Sequence, residues 1–254
     1  MLKAIIFDVD GTLANTERDG HRVAFNYAFS EFGLDWDWGV DLYGELLSVT
    51  GGKERIKYYL SEYNIKVADV NSADEINEFA ATLHKLKTSH YLTLLKSGKI
   101  PLRSGVVDLI NNARKAGITL AIATTTTPEN VTVLLENQLG AESISWFSSI
   151  GAGDIVPLKK PSPDIYNYVL KELNLNADDC IAIEDSHNGW LSSQAANLTT
   201  VITTNAYTVD EDFTGADLVI DKMGDADNKF TVAQGDSLGH DTLTIELLQD
   251  LMSR

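Results

Sequence analysis

Ala4-Ile5-Ile6-Phe7-Asp8-Val9-Asp10-Gly11-Thr12 is an apolar run of strand length that ends in two carboxylates, a glycine and a hydroxyl. A short apolar run closed by a turn signal reads as a buried strand of a parallel sheet. In open α/β sheets ligands gather beyond the carboxyl ends of such strands, so Asp8 stands where chemistry is done and Asp10 can reach the same volume. Gly11 permits a tight turn whose N–H groups can face an anion. Two close carboxylates repel, and either a cation between them or a retained proton relieves the repulsion. One Asp carboxylate can attack a phosphoryl group; a second can protonate the leaving alcohol and later take a proton from water. An isolated Asp-Gly is more often a plain turn. Here Asp8, Asp10, Gly11 and Thr12 crowd directly behind a buried strand, which tips the balance to chemistry.

Outward from this stretch the pattern changes to helix period. Phe25, Phe29 and Phe32 recur beside Ala24 and Ala28, and Gly33 closes the helix. Leu42, Leu46 and Leu47 predict a short helix, Thr50-Gly51-Gly52 breaks it, and Lys53 to Tyr63 resumes. Ser72 is placed to cap a longer helix with its stripe at Ile76, Phe79, Ala80, Leu83, Leu86 and His90. From Gly98, a return linker with Pro101 leads to alternating helices and strands: Val106–Ala116, Ile118–Ala123, Pro128–Leu139, Trp146–Ile150, Pro163–Leu173, Cys180–Ile183, His187–Ala196 and Thr200–Thr203. That alternation predicts an α/β fold, a doubly wound parallel sheet formed by residues 1–14 and 98–254, with an all-helical cap domain inserted at 15–97. In the tail, Ala216–Ile220 is expected as an edge strand, 221–239 as a polar loop and Thr242–Met252 as a helix.

Composition narrows the function classes. The 254 residues hold 37 acidic against 20 basic side chains, a net charge of −17, which argues against nucleic acid or an anionic membrane as partner. A phosphorylated small molecule remains compatible if the few cations gather at one site. Cys180 is the only cysteine and reads as a small core residue. No run reaches transmembrane length and Met1 leads almost directly into the first strand, so a cytoplasmic protein is expected, and a monomer.

Three further strand ends carry candidate chemistry. Thr124-Thr125-Thr126-Thr127 precedes Pro128, clustering hydroxyls at a helix N-terminus that can bind phosphate through its N–H groups. In Lys159-Lys160-Pro161-Ser162-Pro163-Asp164 two prolines stiffen the chain and Ser162 is expected to cap. Lys160 is thus a fixed ammonium suited to a phosphoryl-transfer transition state, while Lys159 reads as solvated. Glu184-Asp185-Ser186 follows the last of these strands. With Asp8 and Asp10 these acids make an all-oxygen site suited to Mg²⁺; the competing reading is an N-cap at Asp185 or Ser186.

These four stretches resemble the motifs of the haloacid dehalogenase superfamily of phosphatases, over most of the chain from Met1 to about Thr204. The resemblance implies Asp8 as nucleophile, Asp10 as general acid and base, and Thr124 and Lys160 as holders of the transferred phosphoryl group, with Thr125 and Thr126 beside them. It implies Mg²⁺ held by Asp8, the Asp10 carbonyl and Asp185, with Glu184 in support. Within the helical insertion Thr16-Glu17, His21-Arg22, Ala24-Phe25-Asn26 and above all Thr50-Gly51-Gly52-Lys53-Glu54-Arg55-Ile56 resemble the CbbY type of that superfamily. Members of that type dephosphorylate xylulose 1,5-bisphosphate, a product that inhibits Rubisco.

A bisphosphate needs a second cationic anchor, for which Thr50, Gly51, Gly52 and Lys53 at a helix start are suited. Glu17 and His21, one turn apart, are candidates to bind sugar hydroxyls or to adjust Asp10, although His21 taken alone reads as a solvated histidine. Lys87 either faces the site or lies on a solvated face, and Arg55 either binds substrate or pairs with an acid inside the cap. Ser104 and Asn15 depart from the family pattern, at positions where relatives often have Pro and Glu. A phosphosugar mutase of the β-phosphoglucomutase kind shares the core and cap type and is the nearest rival. A phosphate-holding receiver domain would have no use for Asp10 or for the insertion.

Overall fold

The structure is a computed structural model that describes residues 1–49, 51–68 and 70–253. It divides into two compact units, Met1–Asn15 with Pro101–Arg254, and Thr16–Ile100. Gly98 to Ile100, expected as linker, fall in the helical unit.

The first unit is built on β1 (Ala4–Phe7), β2 (Thr119–Ala123), β3 (Phe147–Gly151), β4 (Cys180–Glu184), β5 (Thr199–Thr203), β6 (Leu218–Ile220) and β7 (Val232–Gly235). They form one sheet in the order β3-β2-β1-β4-β5-β6-β7, parallel throughout except for the β6–β7 pair. The central β1 is flanked by β2 and β4, so the crevice where strand order reverses opens at its carboxyl end. Helices α5 (Val106–Lys115), α6 (Pro128–Leu139), α7 (Asp164–Leu173), α8 (His187–Ala195) and α9 (Ile245–Leu251) complete the unit.

Small residues decide how closely α7 packs on the sheet. Ala4, Ala121, Ala123, Cys180 and Ala182 face Ile165, Tyr166, Val169 and Leu170. A side chain at Gly151 would press on Val169 and Ile165. Ile5 and Phe7, alternating with that face along β1, are wholly buried too; burying each side chain is worth about 1.5–3 kcal/mol. The tail departs from expectation. β6 is interior rather than an edge, because residues 232–235, expected in a polar loop, pair with it antiparallel and take the edge themselves. The exposed pattern of Val-Ala-Gln-Gly in β7 explains why apolar periodicity missed it.

The second unit contains α1 (Arg22–Phe32), α2 (Val40–Leu46), α3 (Gly52–Glu62) and α4 (Ala73–Lys96), preceded by a five-residue π-helical turn, Glu17–His21. Gly33 ends α1 at φ 83°, a left-handed position that costs glycine little. Ser72 and Glu75 form a reciprocal capping box at the start of α4. The core is aromatic: Trp38 sits 4.7 Å from Phe25, 4.8 Å from Phe29 and 5.3 Å from Tyr59, ring centroid to centroid. Trp38 lies in an irregular segment. Asn26 fixes it by donating from Nδ2 to the Trp38 carbonyl (3.2 Å) and accepting from its N–H (2.9 Å). No helix among the described residues is long and apolar enough to cross a membrane.

Candidate active site

Register places the chemistry. Phe7 pairs with Ile122 of β2 and with Ile183 of β4, so Asp8 comes level with Ala123 on one side and Glu184 on the other. Lys160 enters from the loop before α7. Its ammonium donates to Asp8 Oδ1 at 2.6 Å, to Glu184 Oε1 at 2.6 Å and to the Ala123 carbonyl at 2.9 Å. All three side chains are buried, and a buried ammonium with three oxygen partners has its donors satisfied. Burial alone would lower the Lys160 pKa, but Asp8 and Glu184 outweigh it and hold the ammonium above the usual lysine range.

Glu184, the last residue of β4, receives a second donor. The Tyr166 hydroxyl of α7 hydrogen-bonds the same Oε1. Burial, with Glu184 and Asp8 nearby, pushes the Tyr166 phenol up, so it stays a donor. Glu184 Oε2 accepts only from the Asp185 N–H, at 3.3 Å, among the bonds of the described residues. A Cβ at Gly189 would overlap this carboxylate, so glycine there leaves it room. Asp185 accepts from Asn205 Nδ2 at 2.7 Å and from the Thr12 hydroxyl at 3.5 Å. Gly11, at φ 87°, has its place for a related reason: a side chain would strike Asp185 and Asn205. Its N–H donates to the Ala14 carbonyl at 2.8 Å, closing the tight turn.

One oxygen from each of Asp8, Glu184 and Asp185 lies within 4.8 Å of the others. Burial first, then the neighbouring acids, raise the Asp8 and Asp185 carboxyls well above the carboxylate range. Asp10, two residues on and half-buried, adds to the push on Asp8. Three buried carboxylates with Lys160 as close countercharge and no sulfur or imidazole in the set fit a hard divalent cation, which would relieve that repulsion. Of the two N-cap alternatives, Ser186 does cap α8, accepting from Gly189 N–H at 3.2 Å.

Thr124 lies buried at the end of β2, its hydroxyl accepting from the Thr126 N–H at 3.3 Å. Thr126 accepts from Asn130 Nδ2 at 2.9 Å, Thr125 is half-buried, and Thr127 caps α6. Ser162 does not cap α7: its hydroxyl donates to Asp164, and Pro163 occupies the cap position. Lys159 pairs with the exposed Asp154 at 3.0 Å. Cys180 is buried in the core beneath.

The helical unit holds the other predicted residues in two networks. Tyr43 donates to Glu17 Oε2 at 2.5 Å and accepts from Arg55 Nη1 at 2.8 Å. Arg55 also donates to the carbonyls of Leu46 (3.1 Å) and Val49 (3.3 Å), and its guanidinium lies 3.9 Å from Glu17. Arg55 is therefore engaged inside its own unit. His21 is buried, not solvated, and stacks on Tyr91 with centroids 3.8 Å apart. Lys87 is buried as well, its Nζ 2.5 Å from His21 Nδ1. An ammonium can only donate, so Nδ1 is the accepting side of this contact. Gly51 and Gly52 lead into α3, with Lys53 exposed in its first turn. Thr50 lies outside the described residues.

Sequence reasoning missed Tyr166, Asn205 and His84. Tyr166 follows Lys160 by six positions, a spacing with no local meaning until α7 turns it back under the site. His84 faces Gly52, where a Cβ would meet its ring at 2.5 and 2.7 Å. Burial, then Lys87 and Lys53, lower its pKa to about 4.

Residues 2–197 match the family model for haloacid dehalogenase-like hydrolases. The chain is 45% identical over 226 residues to the plasmid-encoded CbbY protein of Cupriavidus necator, covering 88% of this chain and 87% of that one. It is similar to the crystal structure of CbbY from Rhodobacter sphaeroides in complex with phosphate, with a TM-score of 0.78 and 43% identity over 87% of this chain and 95% of that one. A mutant of that protein, solved in complex with xylulose-(1,5)bisphosphate, matches equally well, with a TM-score of 0.78.

Proposed function

Since the chain belongs to the haloacid dehalogenase-like hydrolases, and within them to the CbbY proteins, and is a phosphatase of that family, we propose that it removes the 1-phosphate of xylulose 1,5-bisphosphate with Mg²⁺ as cofactor. The observation that carries this reading is the relative bound to that bisphosphate, 43% identical and matched over 95% of its length.

The residues are assigned roles accordingly. Asp8 Oδ attacks phosphorus as the bond to the sugar C1 oxygen breaks, and Asp10 as carboxylic acid gives the leaving oxygen its proton. Asp10, now a carboxylate, takes a proton from water, whose oxygen attacks phosphorus while the bond to Asp8 breaks. Phosphate leaves and both carboxyl groups return to their starting states. Lys160, positioned by Glu184, and the Thr124 and Thr126 end of α6 hold the equatorial oxygens, where charge spreads in a loose transition state. When bound, Mg²⁺ neutralises charge between phosphate and acids; Asp8, the Asp10 carbonyl and Asp185 would hold it, with Glu184 in support.

Specificity is read onto the helical unit. Gly51, Gly52 and Lys53 at the start of α3 are proposed as the anchor for the second phosphate, and the Glu17 carboxylate and the His21 ring as partners of sugar hydroxyls. A site that bonds a hydroxyl rejects a misplaced one strongly. The test is phosphate release with Mg²⁺ from xylulose 1,5-bisphosphate, ribulose 1,5-bisphosphate, fructose 1,6-bisphosphate, β-glucose 1-phosphate and phosphoglycolate. A kcat/KM for the xylulose compound at least about 100-fold above the rest, the order a few polar contacts supply, is expected. Equal turnover of all five would sink the substrate assignment and leave only the family chemistry.

A further inference from the structure

Arg103 stands just after Leu102, which bridges Ala14 of the loop that follows β1. Its N–H donates to the Leu13 carbonyl at 2.8 Å, and its guanidinium reaches much further. Nη1 donates to the Gly11 carbonyl, to the Thr203 carbonyl at 2.8 Å and toward Thr203 Oγ1 at 3.2 Å. Nη2 donates to the Thr204 carbonyl at 2.5 Å and to the Asp221 carbonyl at 2.8 Å. These acceptors belong to the turn after β1, the end of β5 and the end of β6. The Thr203 hydroxyl donates in turn to the Glu184 carbonyl at 3.4 Å, which adds β4 to the set.

Two of the tied segments touch the acid cluster. Gly11 is the residue whose missing side chain gives Asp185 its space. Asn205, next to Thr204, donates to Asp185 Oδ2 at 2.7 Å. A shift of either segment moves Asp185 relative to Asp8 and Glu184, and a divalent cation with oxygen ligands tolerates little error in their spacing. We infer that Arg103 is a positioning residue for the divalent-cation site: its fork holds the Gly11 turn and the Thr203–Asn205 segment so that Asp8, Glu184 and Asp185 present their oxygens to one ion. The inference rests on the cation reading of the acid cluster.

Charge and geometry predict opposite outcomes, which makes the inference testable. The guanidinium's positive charge acts on Asp185, so deleting it for charge alone would tighten a divalent cation. Loss of the fork would loosen it. Lysine keeps the charge but presents donors from a single nitrogen, and it cannot hold the Gly11 and Asp221 carbonyls from two separate nitrogens. The experiment is Mn²⁺ binding to chelator-stripped protein, followed by the electron paramagnetic resonance signal of the free ion, with no substrate present. Arg103→Lys and Arg103→Met are expected to weaken Kd at least about tenfold. Thr203→Val, close to isosteric, is expected to weaken it about threefold, and it decides the matter if the Arg103 variants fail to fold. Ser104→Ala removes a 2.5 Å hydrogen bond to Asp225 from the same turn without touching the fork, and Kd is expected within about twofold of native. Unchanged or tighter Mn²⁺ binding in the Arg103 and Thr203 variants overturns the inference and leaves Arg103 as structural glue. Absence of Mn²⁺ binding by the native protein overturns the cation reading itself.

Discussion

The core site and the helical unit handle buried charge in different ways. In the core, Lys160 meets two carboxylates and a carbonyl within 2.9 Å, and every partner sits at the end of a strand or one residue past it. Backbone register brings the three partners level, and the loop before α7 delivers the lysine. In the helical unit Glu17, Tyr43 and Arg55 come from three separate elements and meet through side chains, as do His21 and Lys87. A site set by register tolerates change elsewhere in the sequence, whereas one set by side-chain packing shifts with each neighbour.

The largest effect tests the core. Asp8→Asn is expected to lower phosphate release about 10⁴-fold or more, as loss of a nucleophile does. Lys160 keeps Glu184 as partner, so the thermal midpoint should hold; a collapse of that midpoint would mean that the lost activity reports unfolding. Lys160→Ala comes next. It strands two buried carboxylates, a loss of about 3–5 kcal/mol in chelator, and added Mg²⁺ should restore part of it if the cluster takes a cation. Denaturant unfolding with and without the metal measures this, and no metal-dependent recovery would count against the site.

The contrast sharpens at Lys53→Ala, expected to weaken kcat/KM for a bisphosphate about tenfold, or about 1.4 kcal/mol, while a monophosphate substrate is little affected. Equal loss on both would remove Lys53 from any anchoring role. The smallest effect is a pH dependence. The His84 pKa falls from 6.5 to about 4 in the folded state. The unfolded chain therefore binds the extra proton first as pH falls, and the stability present above pH 6.5 is lost toward pH 4. For this half-buried ring the loss between pH 7 and pH 5 is on the order of 1 kcal/mol after solvent screening. Urea unfolding of native protein and His84→Gln at the two pH values measures it; the variant should show a flatter dependence.

Legibility in the sequence followed the same division. Strand ends are local: an apolar run and then acids fall in one window, so Asp8, Asp10, Glu184 and Asp185 were readable as strand-end acids, and Lys160 was readable from the prolines that stiffen its loop before α7. Caps are local too, and the Ser72 and Gly33 signals mark the ends that the structure has. The solvated alternatives for His21 and Lys87 fail because the burial of both depends on α1, α4 and Tyr91 closing around them. Arg55 had two readings, and only the fold turned its guanidinium toward Tyr43 and the Leu46–Val49 carbonyls. β7 was missed because an edge strand with exposed side chains carries no apolar period.

By itself the sequence determined the alternation of strands and helices, the helical insertion after the first strand, the acids at the ends of β1 and β4, the hydroxyls at the end of β2 and a lysine stiffened by prolines, which the structure places in the loop before α7 rather than at a strand end. These follow from short-range preferences: burial of apolar runs, glycine and proline punctuation, and capping. Only the tertiary structure decided that Tyr166 donates to Glu184, that Asn205 holds Asp185 and that Arg103 ties three strand ends together through backbone carbonyls. Such bonds join residues as far apart as 118 positions. Arg103's partners are carbonyl groups that every residue carries, and Tyr166 and Asn205 meet their carboxylates only across the fold, so no local side-chain pattern could announce these bonds.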